Sequence, residues 1–133
     1  MYVPQVHSYR LSAAAALLGV SDDTVRRWAD AGRLPTERDE EGRRVVPGAE
    51  LAAFAVALAG DPSGPHGTSA RNRFPGIVTR VLRGDVVSQV EVQSGPHRLV
   101  SLLTTESVDE LRLAPGAPVQ ASVKSTNVVV ELP

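Results

Sequence analysis

The chain has 133 residues, 42% hydrophobic and 4% aromatic, with a formal net charge of −1 at pH 7. That length allows one domain or two small ones, with a core that must be aliphatic, built from Val, Leu and Ala. The absence of cysteine excludes disulfides, thiolate metal sites and a cysteine nucleophile, and fits a reducing compartment. The most apolar stretch, Leu11 to Val20, is too short and too rich in alanine for a membrane span. No basic segment precedes it, so it does not read as a signal peptide. A cytoplasmic protein without a membrane partner is expected. Neither half is a basic block. Residues 1–60 hold seven arginines against eight carboxylates, and residues 69–133 hold six arginines and one lysine against six. Any DNA binding must therefore come from locally placed arginines.

In chain order, Ser12 is expected to cap a helix over Ala13 to Leu18, with Gly19 as its stop. Ser21 is expected to cap a second helix that carries Asp22 and Asp23 in its first turn, where the helix dipole favours anions. It runs through Val25, Arg26, Arg27 and Trp28 to Ala31, and Gly32 ends it. Pro35 to Val46 reads as a hairpin with a charged tip from Asp39 to Gly42. After Pro47-Gly48, a third helix over Ala49 to Ala59 places Leu51, Phe54, Ala55 and Leu58 on one face.

The small Ala15, the turn glycine Gly19 and the inward Val25 have helix-turn-helix spacing, and the hairpin stands where a wing would follow. Through Leu11-Ser12-Ala13-Ala14-Ala15-Ala16-Leu17-Leu18-Gly19-Val20-Ser21 and Thr24-Val25-Arg26-Arg27-Trp28, residues 9–59 resemble the DNA-binding domain of MerR-like and excisionase-like proteins. The resemblance implies a winged helix-turn-helix whose second helix enters the major groove. Thr24, Arg26 and Arg27 would face double-stranded DNA, helped by Arg43 or Arg44 of the wing. MerR-like dimers are held by a long helix after this domain. Here the third helix stops at Gly60, so any self-association falls to the rest of the chain.

Gly60-Asp61-Pro62-Ser63-Gly64-Pro65-His66-Gly67 contains no large apolar residue and reads as a linker. The hydrophobic period changes across it from helical to alternating. The expected organisation is an α + β two-domain chain: 1–60, a linker at 61–67, and 68–133. Downstream, five strands are expected: Arg73 to Leu82, Val86 to Gln93, Arg98 to Thr104, Val119 to Lys124 and Val128 to Leu132. Thr105 is expected to cap a short helix, Glu106 to Leu111, between the third and fourth. This pattern describes a five-stranded OB-like β-barrel. Single-stranded nucleic acid is a poor fit for it, because stacking needs exposed aromatics and this half has only Phe74.

The only lysine is Lys124, in Lys124-Ser125-Thr126-Asn127 after an expected strand. Ser69-Ala70-Arg71-Asn72 stands before another. Hydroxyls, guanidinium and ammonium groups without a proton acceptor suit a small anion that is never protonated. Ser69-Ala70-Arg71-Asn72, Gly76, Thr104-Thr105-Glu106-Ser107-Val108, Leu113-Ala114-Pro115-Gly116 and Lys124-Ser125-Thr126 occur in the order found in the Mop domain, the TOBE-like molybdate-binding barrel, and residues 68–133 resemble it throughout. The resemblance implies molybdate or tungstate as ligand. It places Ser69, Ala70, Arg71, Lys124 and Ser125 on one side of the site, and Thr104 and Ser107 of a neighbouring chain on the other. A shared site implies a homo-oligomer through the barrel, as dimer or hexamer. ModE-type regulators carry two Mop copies after a different winged helix; this chain has one.

The three histidines, His7, His66 and His97, have no metal-ligand spacing and no triad partners, so no catalytic residues and no metal-cation site are expected. The reading is a molybdate-responsive DNA-binding transcriptional regulator and not an enzyme. The rival readings are an intracellular molybdate-storage protein without specific DNA binding, favoured by the balanced charge of residues 1–60, and an assembly module without ligand.

Overall fold

The structure is a computed structural model that describes residues 7–60 and 67–133. It divides into two compact units, Met1–Gly64 and Pro65–Pro133. In the first, the elements follow the order β1 (Ser8–Arg10), α1 (Leu11–Leu18), α2 (Asp22–Asp30), β2 (Glu37–Arg38), β3 (Arg44–Pro47) and α3 (Gly48–Ala59). The α1–α2 turn is set by Gly19, which sits at φ 72° while Val20 donates to the Ala15 carbonyl at 3.0 Å. Left-handed backbone of this kind suits glycine, which has no Cβ to clash. Ser21 caps α2 by accepting the Thr24 amide at 3.2 Å, with Asp22 and Asp23 in the first turn, as expected. β2 and β3 form the hairpin, and Asp39 Oδ1 shapes its tip by accepting the amides of Glu41 and Arg43, both at 2.9 Å.

A core of Ala14, Ala15, Val25, Leu34, Val46 and Leu51 closes this unit. Trp28 packs against it, its ring 5.1 Å from that of Phe54. Three features differ from the sequence reading. Ser12 does not cap α1: the helix starts at Leu11, and Arg10, extended at its head, makes no side-chain cap. The cause is a short strand missed in the sequence, β1, which pairs antiparallel with β3 and delivers the chain straight into the helix. At three residues it is too brief for alternation to show. The third change is Leu58, which is exposed rather than part of the apolar face of α3, where only Leu51 is buried.

The second unit is one antiparallel sheet with a short helix. Its elements are β4 (Asn72–Leu82), β5 (Val87–Ser94), β6 (His97–Thr104), α4 (Thr105–Glu110) and β7 (Pro118–Val123), and the sheet order is β6-β5-β4-β7. The long β4 serves two neighbours: Asn72 to Ile77 pair with β7, and Ile77 to Leu82 pair with β5. Gly76 allows this close passage, since a Cβ there would run into the Gln93 carbonyl of β5. A bulge between Val78 and Arg80 bends the strand. Alternation holds along β5, where Ser88, Val90 and Val92 are buried, and Val108 of α4 packs on Val78, Val90 and Val92. Glu91, on the other face, is also buried, and Arg98 of β6 pairs with it. That contact holds its carboxyl below the usual carboxylate range.

Two further expectations are corrected. Thr104, not Thr105, caps α4 by accepting the Ser107 amide at 3.1 Å. Thr105 turns inward instead, buried, with its hydroxyl 2.7 Å from Ser88 Oγ and donating to the Gly84 carbonyl at 2.7 Å. The fifth strand is absent, so the sheet has four strands and not the five of a complete barrel. Ser125–Asn127 form a 3₁₀ turn, and Val128 then runs extended at φ −88°, ψ 121° without a ladder partner. Valine repetition specifies an extended chain, but a strand also needs a neighbour for its amides and carbonyls. Val128 to Leu132 find no such neighbour in this sheet, whose order ends at β6 and β7.

Candidate anion site and nucleic-acid interface

The start of β4 and the end of β7 lie side by side: Asn72 is in register with Val123 and donates from Nδ2 to its carbonyl at 3.0 Å. This pairing brings the Ser69-Ala70-Arg71 segment to the Lys124-Ser125 segment at one end of the sheet. Ser69, Arg71, Lys124 and Ser125 are exposed there, and Ala70 is buried. The Ala70 amide donates to Thr68 Oγ1 at 3.2 Å, and Arg71 donates from Nη1 to the Ser69 carbonyl at 3.3 Å. The donor set here is hydroxyls, a guanidinium and an ammonium, with no carboxylate in either segment.

Thr104 and Ser107 sit elsewhere. Thr104 ends β6 opposite Val87, the first residue of β5, and Leu82 at the far end of β4 pairs with Gln89. Asn72 and Leu82 are separated by the whole of β4, on the order of 30 Å of strand path. Within one chain, the two predicted sets of anion ligands therefore stand at opposite ends of the sheet. Thr104 Oγ1, at the N-cap of α4, donates to Ser107 Oγ of its first turn at 2.8 Å. Arg83 anchors α4 to the sheet by two hydrogen bonds to Asp109, at 2.8 and 3.2 Å, which hold the Asp109 carboxyl below its ordinary value.

In the first unit, Arg26 and Arg27 are exposed on α2, and Thr24 is half-buried between Ser21 and Arg27. The hairpin arginines are engaged. Arg43 pairs with Asp39 at 3.4 Å and with Glu41, and Arg44 pairs with Asp30 of α2 at 2.7 Å. Sequence reasoning missed Arg10 and Arg38, which line the same concavity as Arg26, Arg43 and Arg44. The signal that could have found Arg10 is the strand before α1, which only its pairing with β3 reveals. Among the described residues, no cluster of three His, Cys, Asp or Glu side chains could hold a metal ion, and no helix is long and apolar enough to cross a membrane.

Residues 68–130 match the TOBE domain, and residues 8–55 match a helix-turn-helix domain. Molybdenum-pterin-binding protein 2 of Clostridium pasteurianum is 36% identical over 63 residues, which cover 47% of this chain and 93% of that protein. This chain belongs to the molybdenum-pterin-binding protein family. The family match resides in the sheet unit, and the helix-turn-helix unit precedes it in the same chain. MopA of Rhodobacter capsulatus, also a molybdenum-pterin-binding protein, is 33% identical over 104 residues, 74% of this chain and 38% of that protein. The molybdenum transport protein ModE of Herbaspirillum seropedicae is 38% identical over 64 residues, 47% of this chain and 24% of ModE. The chain thus spans well under half the length of these two relatives.

Proposed function

We propose that this protein is a cytoplasmic, molybdate-responsive DNA-binding transcriptional regulator rather than an enzyme. The observation that carries the reading is the junction, in one chain, of a helix-turn-helix unit and a TOBE-domain unit of the molybdenum-pterin-binding family. The ligand is molybdate, with tungstate as an alternative of the same shape and charge. Ser69, Ala70, Arg71, Lys124 and Ser125 hold one side of it, and Thr104 and Ser107 of a second copy hold the other. The donor chemistry fits: a tetrahedral oxyanion accepts hydrogen bonds and donates none, and the two β4–β7 segments present hydroxyls and positive charge with no carboxylate. Arg71→Ala and Lys124→Ala should each weaken molybdate binding by about 1.5–3 kcal/mol while the fold survives. Titration calorimetry that finds wild-type affinity in both variants would remove these residues from the site.

The division of the ligand set between opposite ends of the sheet supports self-association, as dimer or hexamer. So does the apolar tail: Val129, Val130 and Leu132 are 85%, 90% and 92% exposed. Between β6 and β7 the unit has an apolar hollow of about 460 Å³, lined by Val90, Leu99, Leu103, Leu113 and Val119 among others. A second copy would cover these surfaces.

On DNA, the helix-turn-helix acts in the MerR-like or excisionase-like manner. α2 enters the major groove with Thr24, Arg26 and Arg27, and the β2–β3 hairpin serves as a wing carrying Arg43 or Arg44. The deciding experiment is a shift assay on the protein's own promoter with and without molybdate. A molybdate-dependent change in affinity is expected. The rival reading, a molybdate store without specific DNA binding, is favoured by the balanced charge of residues 1–60 and by the acids that occupy Arg43 and Arg44. Tight molybdate binding with no shift at low salt would establish that reading instead.

A further inference from the structure

The first unit contains a concavity of about 380 Å³ where the head of α1, α2 and the hairpin meet. Five arginines line it: Arg10, Arg26, Arg38, Arg43 and Arg44. Asp22 is its one carboxylate. Side chains of one sign brought together at a concave surface repel each other in the free protein and concentrate an opposite charge there. Such an arrangement needs counter-charges, and among the described residues only two of the five arginines have ion-pair partners. Arg43 is held by Asp39 and Glu41, and Arg44 by Asp30. Arg38 donates only to a neutral group, the Gly42 carbonyl at 3.0 Å. Among the described residues, Arg10 and Arg26 have no ion-pair partner at all. Asp22 alone in the lining offsets the charges of Arg10, Arg26 and Arg38, so the cavity keeps a net positive charge, supplied by three separate elements. Leu11 and Ser12 of the first turn of α1 form part of the wall, and no side chain caps that turn.

We infer that this cavity is a seat for one phosphodiester group of the DNA backbone, clamped by Arg10 and Arg38 beside α2. The inference rests on the DNA-binding reading and deepens it. α2 supplies the side chains for base edges, and the seat fixes the register of the helix in the groove. A phosphodiester suits the site because it carries a single permanent negative charge and accepts hydrogen bonds from several guanidinium groups at once. The seat differs from the wing contacts in its energetics. Arg43 and Arg44 must first leave their acids to reach DNA, whereas Arg10 and Arg38 give up no ion pair.

The test is the salt dependence of full-length protein binding to its promoter fragment and to an unrelated duplex. Arg10→Ala and Arg38→Ala should each weaken binding to both duplexes by the same factor, and each should lower the slope of log affinity against log salt by about one unit. Arg10→Lys and Arg38→Lys, which keep the charge, should keep the slope. This also guards against a hairpin merely loosened by loss of the Arg38–Gly42 contact. Arg33→Ala is the control, since Arg33 lies outside the cavity, over the Trp28 ring, and should leave the slope unchanged. Unchanged slopes in the two alanine variants, with DNA binding otherwise intact, would overturn the seat and leave the DNA-binding reading standing. No binding of the wild-type chain to either duplex at low salt would overturn both.

Discussion

The two units solve the same packing problem to different degrees. The first uses three helices and a small sheet to enclose Val25, Leu34 and Val46 almost completely. The second encloses Val78, Val90 and Val108 but leaves its C-terminal Val129, Val130 and Leu132 in water, along with Leu102 and Leu111. Apolar side chains are seldom left exposed in such a run on a stable monomer. The first unit closes its core within one copy although Leu17 and Val56 stay exposed, whereas the second leaves a run of apolar residues in water. The proposed functions follow the same division. The proposed DNA contacts lie within one helix-turn-helix, while the proposed anion ligands are split between two ends of one sheet.

The largest effect should come from the tail. Val129→Asp combined with Val130→Asp places two charges in the exposed run and should convert an oligomer to a monomer. Light scattering on the full chain checks this, and an unchanged mass would mean that the tail is not what completes the second unit. Next comes the closed core. Leu34→Ala should destabilise the first unit by about 2–5 kcal/mol, as large-to-small changes at fully buried sites do. Denaturant unfolding followed by helical circular dichroism measures it, and a cost below that range would mean this core is less closed than it looks. A smaller loss, about 1–3 kcal/mol, is expected for Thr105→Val, which leaves the buried Ser88 hydroxyl and the Gly84 carbonyl short of a partner. Thermal melts of the second unit report that loss, and an unaltered melt would make the Ser88–Thr105–Gly84 contacts incidental.

The smallest effect is a pH dependence confined to the second unit. Asp109 and Glu91 are both held below their ordinary carboxylate values, by Arg83 and Arg98 respectively. A carboxylate depressed on folding contributes stability that is fully present above its unfolded pKa of about 4 and is lost as pH falls through the lower folded value. The melting temperature of the second unit should therefore decline on acidification below about pH 4. The decline should be shallower in Arg83→Ala and Arg98→Ala variants.

Much of this was readable beforehand because it depends on neighbours in sequence. Ser21 before Asp22-Asp23, Gly19 in its turn and the alternation through Ser88, Val90 and Val92 all act within a few residues. Sequence and structure differ where a distant segment decides. Ser12 looked like a cap because β1 and its pairing with β3 across more than thirty residues could not be seen. Thr105 looked like a cap because nothing local shows that its hydroxyl meets Ser88. The candidate ligand residues were legible as donor-rich segments. Arg10 and Arg38 were not, since their meeting around one cavity depends on how α1, α2 and the hairpin pack.

By itself, then, the sequence determined the two kinds of periodicity, the helix-turn-helix spacing and the cationic, carboxylate-free chemistry near Ser69, Arg71 and Lys124. Each is a property of residue type at short separation. Tertiary structure alone decided which strands find partners, which threonine turns inward, which arginines are neutralised by acids and which ligand segments share an end of the sheet. Those outcomes depend on pairing and packing between segments far apart in the chain, where a residue's role is set by what it meets.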